Sequence, residues 1–129
     1  MLIHKTTDYA IRMLCTLALA KQAVSSSKLA AQLGISSRYL LAIGSKLRKA
    51  GLVEVKSGSA GGYSFREDPG KITLLDVVSL TEEHLFTEFP KDEQRTPKLG
   101  TFYQETVELL KRQFERVTIQ QLAAGESVC

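Results

Sequence analysis

Apolar residues recur every three or four positions through the first fifty residues, which is the spacing of amphipathic helices. The first such segment follows Thr6 and Thr7, either of which can cap a helix, and it continues to about Lys21. The spacing predicts a helix that buries a broad face. Its apolar positions are Ala10, Ile11, Leu14, Cys15, Leu17 and Ala18.

Two shorter helices are predicted next, over residues 26–33 and about 37–50. Ser25 and Ser36 precede them, and serine is a favoured N-cap because its hydroxyl accepts a hydrogen bond from the first turn. A glycine follows each helix, where left-handed backbone is easiest. These glycines are Gly34 and Gly51.

Two strands are predicted after the third helix, over residues 52–56 and 62–66, with SGSAG as the flexible turn between them. Two helices joined by a glycine turn, the second rich in cations, are typical of a helix-turn-helix. With the hairpin, the pattern predicts a winged helix-turn-helix. An ordinary hairpin without a DNA role is the alternative for the wing.

The second half of the chain predicts less regular structure before a final long helix. Thr73 and Asp76 form a capping box for a short helix, and residues 82–97 are the most loop-like segment. Thr118 and Gln121 form another capping box and restart a short helix.

An apolar seam follows the long helix at alternating spacings of four and three. This heptad-like pattern extends over about two heptads, enough to pair with a twin helix. A helix packed on the core of its own domain is the alternative. The predicted dimer-interface residues are Tyr103, Val107, Leu110, Phe114 and Val117.

The 129 residues carry a net charge of +3 that is unevenly divided. Residues 1–66 hold ten Lys/Arg and two acids (+8), whereas residues 67–129 hold seven Lys/Arg and twelve acids (−5). This asymmetry indicates a nucleic-acid face on the N-terminal half, the alternative being a soluble surface of uneven charge. Neither a membrane-length apolar run nor a secretory signal is found, so we expect a cytoplasmic protein without a membrane partner.

Candidate chemistry is sparse. Cys15 and Cys129 form neither a disulfide framework nor a CxxC motif, and the spacing of Cys15 predicts a core residue. His84 stands beside acids, but adjacent acids on a loop more often remain solvated than bind a metal. No GxSxG, HExxH or phosphate-loop motif occurs, so no enzyme activity, catalytic residue or metal site is predicted.

The predicted DNA-binding residues lie mainly at the start of the third helix and in the wing. The first turn of a reading helix meets base edges, where Arg38 suits guanine or a phosphate, while cations further along suit phosphates. A solvated helix face is the alternative. The full set is Lys5, Tyr9, Lys28, Ser36, Ser37, Arg38, Tyr39, Lys46, Arg48, Lys49, Lys56, Ser57, Gly58, Ser59, Gly61 and Gly62.

YLLAIGSKLRKAGLVEVKSGSAGGYSF, followed by ITLLDVV, resembles the Rrf-two family of bacterial winged-helix regulators. The resemblance covers nearly the whole chain. It implies a homodimer in which the long C-terminal helices pair and each subunit offers one winged helix to half of a palindromic operator. It also implies DNA contacts by Ser37, Arg38 and Tyr39 and by residues 56–62 of the wing.

Two departures from the family are notable. Cluster-binding members carry three closely spaced cysteines before the long helix, but residues 82–97 contain none, so we expect no iron–sulphur cluster and no other cofactor. Gly44 stands where the family usually has a bulky apolar residue. A glycine within a helix costs about 1 kcal/mol relative to alanine, so Gly44 either admits a close neighbour or loosens the reading helix.

The predicted fold is mainly α with a small β-hairpin, in three parts. Residues 1–68 form the winged helix-turn-helix, 69–97 a short helix and effector-type loop, and 98–129 the dimerisation helix and tail. The predicted function is a homodimeric, sequence-specific transcriptional regulator that acts as a repressor. The alternatives are a winged-helix module that binds protein, or a regulator controlled by a partner protein or small molecule.

Overall fold

The computed structural model describes residues 3–86 and 96–125. In chain order, its elements in these ranges are α1 (Lys5–Ala20), α2 (Ser26–Leu33), α3 (Ser37–Lys49), β1 (Val53–Lys56), β2 (Gly62–Phe65), α4 (Leu74–Thr81), α5 (Pro97–Glu115) and α6 (Ile119–Ala124). The predicted fold, mainly helical with one hairpin, is confirmed. Each strand is one residue shorter than the sequence predicts.

Helix α1 lies at the centre of the fold and packs against α2, α3, α4, α6 and β2. Its buried side chains therefore belong to a core shared by nearly every element. Burial of this apolar area supplies the main driving force for folding, at about 25 cal/mol per Å². The largest fully buried apolar residues include Met13, Leu14, Leu29, Leu40, Leu47, Ile72 and Ile119.

Side-chain caps fix the starts of the short helices, as the sequence predicts. The Oγ of Ser25 accepts a hydrogen bond from the Lys28 amide at 3.2 Å. At α4, Thr73 and Asp76 form the predicted capping box, in which each side chain accepts a hydrogen bond from the other residue's amide. These caps satisfy amides that have no partner within the helix.

The predicted cap of α1 is wrong. The helix begins at Lys5 with His4 as its N-cap, and no side chain caps it. Thr7 is instead fully buried, and its hydroxyl lies 2.6 Å from that of Thr81 at the end of α4. The Thr81 hydroxyl also donates to the Val77 carbonyl at 2.9 Å, and its hydrogen bond with Thr7 links α1 to α4. Thr7 therefore joins two helices and does not begin one.

The predicted position of Val117 in the helical seam also needs correction. Helix α5 ends at Glu115, and Val117 lies in the following turn with only 4% of its surface exposed. Its carbonyl accepts a hydrogen bond from the Leu74 amide at 2.8 Å, and the Ile119 amide donates to the Ile72 carbonyl at 2.9 Å. Val117 therefore belongs to the core of its own chain.

Some sequence predictions fall outside the described residues. Residues 87–95 of the effector-type loop and Cys129 in the tail are among them. Within the described part of that loop, Phe86 packs edge-to-face on Phe114 of α5, with ring centroids 6.3 Å apart.

Glu82 joins the end of α4 to the start of α1. Its carboxylate accepts a hydrogen bond from the His4 amide at 2.7 Å and contacts the His4 imidazole. Burial by itself raises the pKa of this carboxyl, but hydrogen bonds from the His4 amide and imidazole and from Thr7 lower it more, so the net pKa lies below its ordinary value. The ionised carboxylate is therefore the form that the fold favours.

We expect Glu82→Gln to lower the free energy of unfolding at pH 7 by about 1–3 kcal/mol, because a buried charged acceptor is lost. A lowered folded-state pKa stabilises the protein above the ordinary glutamate pKa of about 4.3, and this contribution disappears as the pH falls through the folded value. The difference between wild type and variant should therefore shrink between neutral and strongly acidic pH in urea denaturation. The exposed Glu54→Gln provides the control, and a pH-independent difference would contradict the assignment.

Candidate nucleic-acid interface

The first turn of α3 is capped and open to solvent. The Oγ of Ser36 accepts a hydrogen bond from the Tyr39 amide at 3.1 Å, which confirms the predicted cap. Ser36, Ser37 and Arg38 are exposed, whereas Leu40 on the opposite side is fully buried. The core therefore holds α3 so that its first turn presents two hydroxyls and a guanidinium outward.

The exposed face of α3 continues through Leu41, which is 49% exposed and which the sequence analysis did not include among the site residues. Leu41 lies three residues after Arg38 and four before the exposed Ser45, so these side chains share one stripe. The sequence could have indicated this exposure, because Leu41 lies outside the apolar face that Leu40, Ile43 and Leu47 form. An exposed leucine among polar residues needs no explanation alone, but here it lies on the predicted reading surface.

Cations flank this stripe at the end of α3 and in the neighbouring elements. All of them are exposed, and none forms an ion pair with another described residue, whereas Arg12 is paired with Asp8 at 2.8 Å. Unpaired cations keep their full attraction for an external anion. The predicted members of this group are Lys5, Lys28, Arg38, Lys46, Arg48, Lys49 and Lys56.

Tyr9 and Tyr39 occupy the junction between α1 and α3 and are half-buried. Their rings meet edge-to-face with centroids 5.8 Å apart, and the Tyr39 hydroxyl lies 2.9 Å from the Thr6 hydroxyl. The structure thus gives both tyrosines partners within the chain, which fix the start of α3 against α1. Their predicted contacts with DNA remain a prediction.

The hairpin forms the predicted wing, with β1 and β2 antiparallel and Lys56 opposite Gly62. A third segment joins it, because the Val24 amide donates to the Tyr63 carbonyl at 2.9 Å and the Tyr63 amide donates to the Val24 carbonyl at 2.8 Å. This bridge attaches the wing to the turn between α1 and α2. Residues 56–60 remain exposed at the tip.

Gly61 and Gly62 are required where backbones approach closely. A Cβ on Gly62 would lie 2.2 Å from the Val24 carbonyl oxygen, and the φ of this residue is 135°, which strains any other L residue. A Cβ on Gly61 would lie 2.2 Å from the Lys56 carbonyl oxygen. The absence of a side chain at both positions allows the backbone of the wing to pack against Lys56 and Val24. Backbone contacts of these glycines with DNA remain a prediction.

The wing and α2 meet in a small polar cleft of about 250 Å³. Lys28 and Ser25 at the start of α2 line it from one side, and Ser59 and Gly61 of the wing line it from the other. The structure therefore brings together predicted residues that are more than thirty positions apart in sequence.

Gly44 admits a close neighbour, which decides between the two interpretations of this residue. A Cβ at Gly44 would lie 2.4 Å from the Tyr63 hydroxyl oxygen and 2.5 Å from the ring carbon that bears it. Tyr63 is 6% exposed, and burial raises the pKa of its hydroxyl while the charge of Arg48 opposes the shift. The wing thus packs its tyrosine directly on the backbone of α3.

Other candidate chemistry is limited. Cys15 is half-buried on α1, and burial raises the pKa of its thiol, which disfavours the reactive thiolate. Across residues 3–86 and 96–125, no three His, Cys, Asp or Glu side chains are grouped so as to hold a metal ion. In the same part of the chain, no helix has both the length and the apolar character of a membrane span.

Comparison with known proteins gives consistent matches. Residues 3–125 match the family described as Rrf2, iron-dependent transcriptional regulator. The HTH-type transcriptional regulator NsrR of Shouchella clausii is 38% identical over 81 residues, which are 61% of this chain and 54% of that relative. Protein rrf2 of Nitratidesulfovibrio vulgaris is 30% identical over 129 residues, 94% of this chain and 86% of that relative.

Among solved structures, that of CymR, the global cysteine regulator of B. subtilis, superposes with a TM-score of 0.84 at 26% identity and covers 97% of this chain and 98% of that chain. The chain thus spans nearly all of CymR but only about half the length of the NsrR relative.

We expect Gly44→Ala to destabilise the protein by about 1–3 kcal/mol, because the new methyl group overlaps the Tyr63 ring. Gly100→Ala is the matched control, since it also lies within a helix but a Cβ there meets nothing within 4 Å. The control should gain up to about 1 kcal/mol from helix propensity. Urea denaturation of both variants tests the contact, and equal stabilisation of the two would contradict it.

Proposed function

Because this chain belongs to the Rrf2 family of transcriptional regulators, we propose that it binds a palindromic DNA operator as a homodimer and represses transcription. The family is one of regulators, so the prediction that the chain is not an enzyme is confirmed. The observation that carries the proposed mechanism is the exposed face of α3, where a capped first turn, Arg38 and Leu41 lie beside unpaired cations.

Base recognition is assigned to Ser37, Arg38 and Leu41. A major groove admits one helix, and the guanine edge offers two acceptors that suit a bidentate guanidinium. The thymine methyl group is the apolar feature of the same groove, and the exposed Leu41 side chain suits it. A guanine and a nearby thymine in each half-site are the expected features of the operator.

Phosphate binding is assigned to Lys46, Arg48 and Lys49 at the end of α3 and to the cleft between α2 and the wing. Cations there neutralise phosphates and release counterions, which sets affinity and not sequence preference. Glycines at the wing tip permit close approach of its backbone to the sugar–phosphate edge. Lys56 is the cation nearest to that tip.

Dimerisation is assigned to α5. None of its 19 residues is fully buried in the single chain, and most of the stability of a helix in a protein comes from packing of its apolar face. Of the predicted seam, Tyr103, Val107, Leu110 and Phe114 are half-buried on the side that packs on α4 and Phe86. The exposed apolar residues lie on another face, and they are Leu99, Phe102 and Leu109, at 41%, 60% and 62% exposure. We assign the partner helix to this face.

The residues of this chain do not fit an iron–sulphur cluster. Its two cysteines are Cys15 and Cys129, and the first is half-buried within α1. Clusters need several thiolates, or histidines in special cases, within reach of one another. The proposed regulator is therefore cluster-free, and another signal controls it.

Repression follows from the proposed geometry, because a dimer seated on an operator excludes other proteins from the same DNA. This form of repression requires only that α3, the wing and the dimer interface hold the protein on its operator. Such a regulator acts in the cytoplasm, where bacterial DNA lies. A partner protein could control the same dimer, but a module that binds only protein has no use for the unpaired cations of α3.

Fluorescence anisotropy with the chain's own upstream DNA, a scrambled control and a salt series tests DNA recognition. Arg38→Ala should weaken binding to the selective site by about 1–3 kcal/mol and reduce the preference over scrambled DNA. Lys46→Ala should weaken both DNAs alike and lower the salt slope by about one per subunit.

Lys71→Ala is the control for these variants, because Lys71 is exposed but lies between the wing and α4, outside the proposed interface. Unchanged DNA affinity in both the Arg38 and Lys46 variants would reject the assignment of α3 as the reading helix. If the preference for the selective site over scrambled DNA is lost in the Lys46 variant and kept in the Arg38 variant, then Lys46 reads bases and Arg38 binds phosphate, the reverse of the assignment.

Substitution of Leu109 by Asp should convert the dimer to a monomer, because a carboxylate would be buried against the partner helix without a partner charge. Light scattering on the purified protein measures the mass directly. Leu19→Asp is the control, since Leu19 is similarly exposed, at 66%, but lies on α1. Val107→Asp examines the other face, and dimers that survive Leu109→Asp but not Val107→Asp would favour the seam predicted from sequence.

A further inference from the structure

A cavity of about 330 Å³ lies between the end of α1 and the base of the wing. Its size is within the range of small-molecule sites in proteins. Leu17 and Ala18 of α1 and Phe65 of β2 supply apolar walls, while Lys21, Lys56 and Ser64 supply polar groups. None of the functions assigned above uses this cavity.

Ser64 is the unusual member of this lining. Its hydroxyl oxygen is buried and has no hydrogen-bond partner among the described residues. A buried polar group without a partner costs free energy, and such groups in folded proteins call for an explanation. Because Ser64 also lines the cavity, rotation of its side chain would present this hydroxyl to a ligand there, and a ligand that accepts its hydrogen bond would remove the deficit.

The charge of the lining has one sign. Lys21, at the end of α1, and Lys56, at the end of β1, approach the cavity from its two walls, and no acidic residue lines it. A mixture of apolar walls with two cations and one hydroxyl suits an anion attached to a short apolar body. A second depression of about 440 Å³ adjoins it, shares Ala18 and Lys21, and extends towards α6.

We propose that this cavity binds a small carboxylate with a short apolar or aromatic body. The carboxylate would accept hydrogen bonds from Lys21, Lys56 and Ser64, and the body would lie against Leu17, Ala18 and Phe65. A carboxylate is preferred to a free phosphate because an inorganic anion leaves the apolar walls without contact.

The consequence for DNA rests on the proposed function, although binding of the carboxylate does not. Lys56 belongs both to this cavity and to the wing, so an anion held there competes with a DNA phosphate for the same cation. Lys21 lies three residues before Val24 in the segment between α1 and α2. The backbone of Val24 is hydrogen-bonded to Tyr63 of the wing. An occupied cavity should therefore weaken DNA binding.

Nuclear magnetic resonance titration of the free 129-residue chain tests the site, with benzoate as the probe. Benzamide, which has the same ring without the charge, and inorganic phosphate, which has charge without the ring, are the comparison ligands. A fragment of this size should bind with a dissociation constant in about the millimolar range. We expect saturable shifts for benzoate at Ala18, Lys21, Ser64 and Phe65, and weaker, non-saturating shifts for the other two.

Two variants separate ligand binding from folding. Lys21→Gln should weaken benzoate binding about tenfold, as expected for loss of a charge-assisted hydrogen bond, whereas Lys71→Gln outside the cavity should not change it. Ser64→Ala should weaken benzoate severalfold without lowering the urea midpoint, because its hydroxyl has no partner to lose. A lower midpoint for Ser64→Ala would show that the hydroxyl is already satisfied and would overturn this part of the proposal.

The outcomes distinguish the site from its regulatory role. No saturable benzoate shift at the lining residues, or equal binding of benzamide, overturns the carboxylate site. Stronger saturable binding of phosphate at the same residues overturns the choice of a carboxylate. Anisotropy with operator DNA then follows with and without benzoate, where a weaker DNA affinity supports the coupling and an unchanged affinity rejects it, while the titration still decides the site.

Discussion

The contact between Tyr63 and Gly44 joins the two parts of the winged helix. The ring lies where the side chain of any other residue at position 44 would lie, so the wing rests on the backbone of α3. Through the same residue, two backbone hydrogen bonds connect the wing to Val24 in the turn before α2. A single tyrosine thus fixes α3, the hairpin and the turn before α2 relative to one another. Because protein interiors are close-packed, a methyl group added at this contact must shift the Tyr63 ring.

This arrangement explains why the glycines cluster near the wing. Gly44 makes room for an aromatic ring, whereas Gly62 makes room for the carbonyl of Val24 and also adopts a positive φ. The cost of a glycine within α3 is offset by burial of Tyr63, which is 6% exposed. The proposed recognition of DNA by both α3 and the wing benefits from a separation that is fixed before binding, since every freedom frozen on binding lowers affinity. The glycines supply this preorganisation.

Features determined by neighbouring residues could be predicted from the sequence, and features determined by distant residues could not. Ser25, Ser36 and Thr73 cap their helices through amides three residues away, so the local pattern was sufficient. Thr7 looked like a similar cap, but its partner is Thr81, 74 positions further along the chain. The same limit applied to Gly44, whose neighbour lies in another element, and to Leu41, whose exposure depends on how α3 is seated.

The choice of a face for the proposed dimer shows this limit most clearly. The half-buried seam that includes Val107 has spacings of three and four along α5. Leu99, Phe102 and Leu109 are spaced three and seven apart, which also places them on one side of a helix. Periodicity alone cannot choose between two such faces, because each places apolar residues on one side of a helix. Packing within the chain distinguishes the two faces, since α4 and Phe86 contact the first and leave the second exposed, which supports the second as the face of the proposed dimer. The partner helix is therefore assigned, within the proposed dimer, to the face that α4 and Phe86 do not cover.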